Sequence, residues 1–424
     1  MHVLVIGSGG REHAIVEALD RAASVDRISC TPGNPGIAQL AEVVDTDSSI
    51  RDLERIALEL RPDLVVVGPE APLVAGLADR LREHGLAVFG PGAQGALLEG
   101  SKWHAKELLD AAGVATAQAW TFTDADEAVE FVRAHGEPMV VKADGLAAGK
   151  GVVVAASVDA TIEAIHEQLV DGRFGDASRR VVLEQRLDGP ELSVLALVSG
   201  RQLRMLAPAR DHKRAFDGDR GPNTGGMGAI SPPADADDLL LARIEREVLR
   251  PVVDELAERG VDYRGVLYAG LMLCSDGPHV IEFNVRFGDP EAQAVLPRLT
   301  SDLGELLLAT ARGSLDEQPR VEWDPRTAVT VVVAADGYPQ APEVGDPITL
   351  PEPVEGVTVF HAGTASQGDG SLVTAGGRVL AVTAVDDDAD RARSRANAAA
   401  AQVRFDGSWH RTDIGVTSVL DAVR

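Results

Sequence analysis

His279-Val-Ile-Glu-Phe-Asn-Val-Arg-Phe-Gly-Asp-Pro-Glu291 reads as a strand that runs into a tight turn. Alternate side chains of a strand share a face, so Glu282, Asn284 and Arg286 are expected on one side and Ile281, Phe283 and Val285 on the other. The apolar side can close a core. The polar side sets a carboxylate, an amide oxygen and a guanidinium within two pleats. Mg²⁺ takes oxygen ligands, commonly one or two carboxylates plus substrate phosphates. An arginine beside it can clamp a transferring phosphoryl group or a developing oxyanion. A strand with one wet face is the plain alternative, and the rest of the chain decides between the two.

Upstream, Pro138-Met-Val-Val-Lys142-Ala-Asp-Gly145-Leu-Ala-Ala-Gly149-Lys150-Gly151-Val-Val-Val places a lysine at the end of one apolar strand and a small-residue loop before the next. Such a hairpin can fold over a triphosphate, its N–H groups taking oxygens and Lys142 acting as a point charge. It is no Walker A sequence, which opens a helix. Val181-Val-Leu-Glu184-Gln-Arg-Leu187-Asp-Gly-Pro-Glu191 is a strand followed by a kinked linker, whose exposed backbone can read a base edge and whose Glu191 can accept from ribose hydroxyls.

At the start of the chain, Val3-Leu-Val-Ile-Gly7 is a buried strand, and Gly7-Ser-Gly9-Gly10-Arg11-Glu12-His13 turns it into an amphipathic helix. This arrangement presents N–H groups to a phosphate. Glu12 stands where the dinucleotide fingerprint needs its third glycine, and Cys30-Thr-Pro-Gly lacks the ribose-binding acid, so NAD is disfavoured. Aliphatic strands at 63–67 and 87–89 alternate with helices, one at about 49–60, which predicts a doubly wound parallel sheet. Ligands of such sheets sit beyond the carboxyl ends of the strands. That puts Gly9–Glu12, Gly33-Asn34 and Gly68-Pro69-Glu70 on one rim, with Asn34 and Glu70 placed to hold sugar hydroxyls or an amine.

Glu99-Gly-Ser-Lys102 opens another helix, with Ser101 as N-cap and Lys102 placed for an anion. Arg210-Asp211-His212-Lys213-Arg214 and Pro222-Asn-Thr-Gly-Gly226-Met-Gly228 bracket a long polar loop, expected to be a mobile active-site loop. His212 reads as solvated or as a general base. Helices are expected at 124–135, 237–259 and 302–312, and strands at 265–273, 327–334 and 379–383. The last hundred residues form an α+β unit without evident chemistry of its own, despite Gly376-Gly377-Arg378.

The 424 residues exceed what one core usually holds. With Lys+Arg 40 against Asp+Glu 66, the net charge of −26 disfavours nucleic acid and anionic membrane as partners. No apolar run is long enough for a membrane helix, and the opening residues carry no basic leader, so a cytoplasmic protein is expected. Cys30 and Cys274 are expected reduced in apolar settings, and no Cys/His spacing suggests zinc.

Taken in order, Lys102, the 142–151 hairpin, the 184–191 linker and Glu282/Asn284/Arg286 resemble the motifs of ATP-grasp enzymes. Gly9-Gly-Arg-Glu-His13, Gly68-Pro-Glu-Ala-Pro-Leu73, Leu98-Glu-Gly-Ser-Lys102, Asp211-His-Lys-Arg214, Gly221–Gly228 and Glu282–Glu291 narrow the resemblance to the phosphoribosylamine–glycine ligases of purine biosynthesis. The resemblance spans nearly the whole chain. It implies an N-terminal substrate-binding α/β domain (1–101), a central ATP-grasp domain (102–324) with a mobile lid subdomain at about 121–190, and a C-terminal α+β domain (325–424). It implies ATP with Mg²⁺ or Mn²⁺ as the cofactors, glycine and 5-phosphoribosylamine as substrates, a monomer, and transient contact with the enzyme that produces phosphoribosylamine.

By the same resemblance, Lys102, Lys142, Gly145, Gly149, Lys150 and Gly151 would hold ATP phosphates, Glu184 and Leu187 adenine, and Glu191 ribose. Glu282 and Asn284 would bind the metal, and Arg286 would stabilise the transferred group. Asp211 and Lys213 would serve the glycine side. Gly9, Gly10, Arg11, Glu12, Asn34, Pro69, Glu70, Gly226 and Asp289 would contact substrate. Gln185-Arg186 and Pro190 depart from the family's usual Glu-Glu-Phe-Leu linker and following Glu, and the 265–273 strand lacks a second metal carboxylate. A bicarbonate-using ATP-grasp carboxylase and a nucleotide sensor without turnover remain the alternative readings.

Overall fold

The computed structural model describes residues 1–147 and 150–416; Gly149 lies outside them. Five parallel strands form the first sheet in the spatial order Glu42–Val43, Arg27–Pro32, His2–Gly7, Leu64–Val67, Val88–Phe89. Both faces of the opening strand are buried. Val3 and Val5 pack with Ala14, Ile15 and Leu19 of helix Gly10–Asp20, whereas Leu4 and Ile6 pack with Leu53 and Ile56 of helix Ile50–Leu60. Helices on both faces explain why the strand is an unbroken apolar run. The doubly wound arrangement expected from the sequence is present, with the loops after Gly7, Pro32 and Val67 on one rim.

Residues 119–184 build a small body with four strands ordered Ala119–Phe122, Val181–Glu184, Val140–Ala143, Val152–Val154, backed by helices Ala125–His135 and Val158–Ile165. Its hydrophobic cluster draws only on residues from this span, Val129, Val132, Met139, Val141, Ile165 and Leu183 among them. Val140–Ala143 and Val152–Val154 pair antiparallel with Lys142 opposite Val152, so the glycine-rich loop closes a hairpin.

The central sheet is antiparallel in the order Gln202–Met205, Glu191–Ser199, Arg264–Cys274, Gly277–Asn284. Here the simple alternation expected for 279–285 fails. Glu282 faces Gly270 while Val280 faces Leu271, which leaves Ile281 as an extra residue in a β-bulge. Val280, Phe283 and Val285 therefore enter the core, and Ile281 does not. The helix expected at 237–259 is interrupted by a π-helical turn at Glu245–Leu249 between Asp238–Ile244 and Arg250–Glu258.

The last sheet is not confined to the C-terminal residues. Its strands run Arg210–Asp211, Gly228–Ser231, Thr327–Ala334, Arg378–Asp386, Val357–His361, with Trp409–His410 also paired to Thr327–Ala334. The polar stretch between the first two is ordered as a hairpin, Arg214–Phe216 against Arg220–Asn223, rather than as an irregular loop. Among the described residues, no helix is long and apolar enough to cross a membrane.

The first and last sheets meet at two buried imidazoles. His13 Nδ1 accepts from the His361 N–H at 2.8 Å, and the rings lie 5.7 Å apart. Burial, reinforced by the like charge His361 would carry, lowers His13 from 6.5 to about 3; burial lowers His361 to about 4. Below pH 6.5 the unfolded chain takes up protons that the folded chain refuses. These groups therefore leave stability flat above that pH and erode it as pH falls toward 4 and then 3. The slope should approach ~1.4 kcal/mol per pH unit for each histidine. Urea midpoints taken between about pH 7 and pH 5 should fall, and His13→Gln should reduce the slope.

Candidate active site

The bulge at Ile281 shapes the site. It frees the Ile281 carbonyl, which accepts from Lys142 Nζ at 2.8 Å, and turns Glu282 toward two further lysines. Lys213 Nζ lies 3.4 Å from Glu282 Oε1, and Lys102 Nζ lies 3.6 Å from Oε2. Burial alone would raise the Glu282 pKa; the ammonium groups of Lys213, Lys102 and Lys142 outweigh it and hold the carboxyl well below its ordinary range. Lys213 also reaches Glu191 Oε2 at 3.0 Å. Burial opposes its charge, but Glu191, Glu282 and Asp211 more than compensate, so it stays protonated. Asp211 behaves in the opposite sense: burial first, then the carboxylates of Glu291, Glu191 and Glu282, raise it despite Lys213. Asn284 ends the strand and is buried.

Arg286 lies two residues beyond Asn284. Its Nη2 donates to Glu99 Oε1 at 2.8 Å and its Nε to Glu70 Oε2 at 3.2 Å. The second Glu99 oxygen accepts from the Val285 N–H at 2.8 Å, so the carboxylate fixes both the guanidinium and the backbone that carries it. Burial raises Glu99 in spite of Arg286. At Glu70 burial is overcome by Arg286 and Arg11, and the pKa falls. Arg11 Nη1 lies 3.9 Å from Glu70 and its Nε donates to Glu12 Oε1 at 2.6 Å.

Several predicted ligand contacts are occupied by the protein itself. Glu12 Oε2 accepts from the Gly9 N–H at 2.6 Å, so its carboxylate caps the turn expected to cradle a phosphate. A Cβ on Gly7 would lie 2.5 Å from Glu12 Cγ, and one on Gly68 would overlap its carboxylate; these glycines make room for Glu12. Gly10 abuts Gln293, where a Cβ would come within 2.5 Å of Nε2. Asn34, predicted to hold a sugar hydroxyl or an amine, has no side-chain capacity left. Its Nδ2 donates to the Ser8 and His361 carbonyls at 2.8 and 2.9 Å, and its Oδ1 accepts from the Gly36 and Ile37 N–H groups at 2.9 and 3.0 Å. An amide offers two donors and two lone pairs, and all four are spent. Asn34→Ala should therefore act on folding, lowering stability by ~1–3 kcal/mol in a urea titration.

Glu184, predicted at the adenine, is buried between Lys142 Nζ at 2.9 Å and Lys106 Nζ at 3.2 Å. The irregular linker 185–190 exposes Gln185 and Arg186 and half-buries Leu187. The Pro190 carbonyl accepts from the Leu273 N–H at 2.9 Å, which ties the linker to the central sheet by main chain. The departures at 185 and 186 thus sit on outward-facing side chains. In the hairpin loop, Gly145 lies against Ala177 and Gly151 against Ala147, where a Cβ would stand 2.6 Å away in each case; Lys150 is exposed.

On the remaining rim, Pro69 precedes the short helix Glu70–Val74. Asp289 is held by Arg378 at 3.3 Å and Gln293 at 2.8 Å. Burial would raise its pKa, but Arg378 and Arg11 lower it. Gly226 adopts φ +108° beside Pro290, and the Gly225 carbonyl accepts from Arg378 at 2.7 Å.

Sequence reasoning missed Glu99, Lys106, Arg378 and the buried Ser193–Tyr268–Glu291 network, in which Tyr268 and Ser193 both donate to Glu291 Oε1. Burial lowers Lys106 to about 8 even with Glu184 beside it. His212 is not simply solvated: its Nε2 accepts from the Gly415 N–H at 3.1 Å. Both cysteines are free, Cys30 buried and Cys274 at a hairpin end, not in an apolar core. There the structure gathers Cys274, Asp276 and His279 within 4.8 Å, three donors beside solvent and short of a closed four-ligand zinc set.

Residues 1–99, 100–292 and 328–417 match the family models described as Phosphoribosylglycinamide synthetase N domain, ATP-grasp (A) domain and C domain. The chain is 50% identical over 420 residues to phosphoribosylamine–glycine ligase of Streptomyces coelicolor, covering 98% of each chain. It is 47% identical over 421 residues to that of Nostoc sp., covering 98% of this chain and 99% of the relative. The crystal structure of phosphoribosylamine–glycine ligase from Thermotoga maritima superposes with a TM-score of 0.85 at 36% identity, covering 97% of this chain and 100% of that one. A biotin carboxylase domain from Hydrogenobacter thermophilus, at 17% identity and a TM-score of 0.73 over 96% of this chain and 91% of that one, shares the fold. With all three family models in register and half of its residues identical to a full-length relative, the chain belongs to the phosphoribosylamine–glycine ligase family, within the ATP-grasp superfamily.

Proposed function

We propose that the chain joins glycine to 5-phosphoribosylamine at the expense of ATP, giving glycinamide ribonucleotide, ADP and phosphate. The observation that carries this reading is Glu282 set between Lys102 and Lys213, with Arg286 two residues on and fixed by Glu99 and Glu70. The domain division is 1–101, 102–324 and 325–424, with residues of about 121–190 as a lid over the nucleotide.

Glycine's carboxylate attacks the γ-phosphorus and ADP leaves, forming glycyl phosphate. The amine of phosphoribosylamine then adds to the acyl carbon, and the tetrahedral oxyanion expels phosphate. Transfers of this type depend mainly on positioning and charge neutralisation. Lys102, Lys142 and the 145–151 loop hold phosphates, while the 185–190 backbone and Leu187 receive adenine. Arg286 meets the charge that develops on the transferred group and on the oxyanion. Lys213 and Asp211 orient glycine, and Arg11, Glu70 and Asp289 face the phosphoribosylamine. Glu282 and Asn284 offer a carboxylate and an amide oxygen, a donor set that fits Mg²⁺ or Mn²⁺ when phosphate oxygens join it. That ion would neutralise phosphate charge. The attack needs no general base, because the unprotonated amine is already a nucleophile, and the proton that its nitrogen sheds leaves with the departing phosphate. The chain works as a monomer, meeting the producer of its labile amine substrate only transiently.

ADP release is the test, measured with Mg·ATP and glycine, with and without phosphoribosylamine formed in place from ribose 5-phosphate and ammonia. Turnover that needs both glycine and the amine, with a product one glycyl unit heavier, is the expected result. Turnover with bicarbonate instead would overturn it.

A further inference from the structure

The segment around Trp409–Gly415 grips the hairpin that carries Lys213. Arg411 is 1% exposed, and four of its five N–H donors are accounted for. Its Nη1 donates to the Arg214 carbonyl and to Asp219 Oδ1, each at 2.9 Å, and its Nε and Nη2 take both oxygens of Asp413 at 2.7 Å. Asp413 Oδ2 in turn accepts from the Gly218 N–H at 2.8 Å. Thr412 grips Asp217 twice, through its N–H at 2.9 Å and its hydroxyl at 2.6 Å. The Gly415 N–H donates to His212 Nε2 at 3.1 Å, and the Trp409 and Phe216 rings lie 5.6 Å apart. Lys213 thus stands between two residues, His212 and Arg214, that are both fixed from the C-terminal segment. Its own carbonyl is held from the other side by the N–H and hydroxyl of Thr224 at 2.8 and 2.9 Å. The Lys213 ammonium emerges from this frame to meet Glu191 and Glu282.

We infer that Arg411 and Thr412 are positioning residues for the ligase reaction: through the 212–219 backbone they set where the Lys213 ammonium and the Asp211 carboxyl stand beside Glu282. The inference rests on the reading of Lys213 and Asp211 as the glycine side. It also gives the C-terminal residues a part in the site, although none of the clasp atoms touches a reacting group. Bidentate pairing suits Arg411 because the guanidinium fork matches a carboxylate and is rigid. A shift of about 1 Å in a group that orients substrate can lower turnover on the order of 10²-fold.

Arg411→Ala should accordingly lower kcat/KM for glycine on the order of 10²-fold, chiefly through KM, and leave KM for ATP nearly unchanged. Arg411→Lys should recover part of the loss, since an ammonium can reach a carbonyl but cannot fork onto Asp413. Thr412→Val is near-isosteric and lies at an exposed edge, so it keeps the test alive if Arg411→Ala does not fold. It should raise glycine KM in the same direction by a smaller factor, and speed hydrogen exchange of the Gly218 amide. Wild-type glycine kinetics in both Thr412→Val and Arg411→Lys would overturn the inference. So would losses spread equally over glycine, ATP and phosphoribosylamine that track the fall in melting temperature. Wild-type enzyme that, with Mg·ATP and phosphoribosylamine both supplied, releases no ADP in response to glycine would instead overturn the ligase reading.

Discussion

Arg286→Ala is expected to lower kcat on the order of 10²–10³-fold while nucleotide binding stays close to wild type. The guanidinium is held at 2.8 Å by Glu99 and 3.2 Å by Glu70, so it is positioned before substrate arrives and need not reorganise as charge develops. The same substitution has a separate effect on folding. Glu99 is 5% exposed, and removing one partner of a buried pair costs ~3–5 kcal/mol. Because burial already raises the Glu99 carboxyl, protonation would limit that cost. The two effects separate in the double variant Arg286→Ala, Glu99→Gln, which should regain much of the stability and none of the turnover. ADP release and urea denaturation on the same three proteins decide it. Recovery of turnover in the double variant would remove Arg286 from the chemistry.

Glu282→Gln should be comparably severe, again on the order of 10²–10³-fold in turnover, by another route. The amide keeps the shape and one oxygen but loses the charge that faces Lys213 and Lys102. Two consequences can be read independently. The Mg²⁺ concentration for half-maximal activity should rise, and Mn²⁺ binding in the presence of ADP, followed by direct titration without turnover, should weaken. An unchanged metal dependence in both would place the ion elsewhere. Glu282→Ala would add a cavity and reads less cleanly.

Local pattern carried much of this structure. Val3–Gly7 is apolar on both faces because helices cover both, and that is visible as a run without alternation. The 142–151 hairpin is legible because a lysine and small residues bracketed by valines leave few other folds. What was not legible shares one cause, dependence on partners far away in sequence. Ile281 is ordinary by composition, and only its pairing against Gly270 and Leu271 reveals the bulge. Asn34 looks like a ligand residue on a rim until the His361 carbonyl, 327 positions later, accepts a hydrogen bond from its amide. Glu99 meets Arg286 across 187 residues, and Arg411 meets Asp219 across 192. The C-terminal unit seemed inert by itself because its contribution lies in what it holds.

The self-contained cluster of residues 119–184 has a thermodynamic consequence. Its ties to the rest of the chain include polar ones: Lys142 to the Ile281 carbonyl, Glu184 to Lys106, and Asp144 to Ser101 and Trp103. Swinging such a body away would exchange hydrogen bonds for water and bare little hydrocarbon. Heat capacity follows apolar exposure, so opening of this body as the proposed lid should carry a heat-capacity change far smaller than global unfolding. Nucleotide release limited by that step would then give a nearly straight Eyring plot, its activation enthalpy constant across the enzyme's working temperatures.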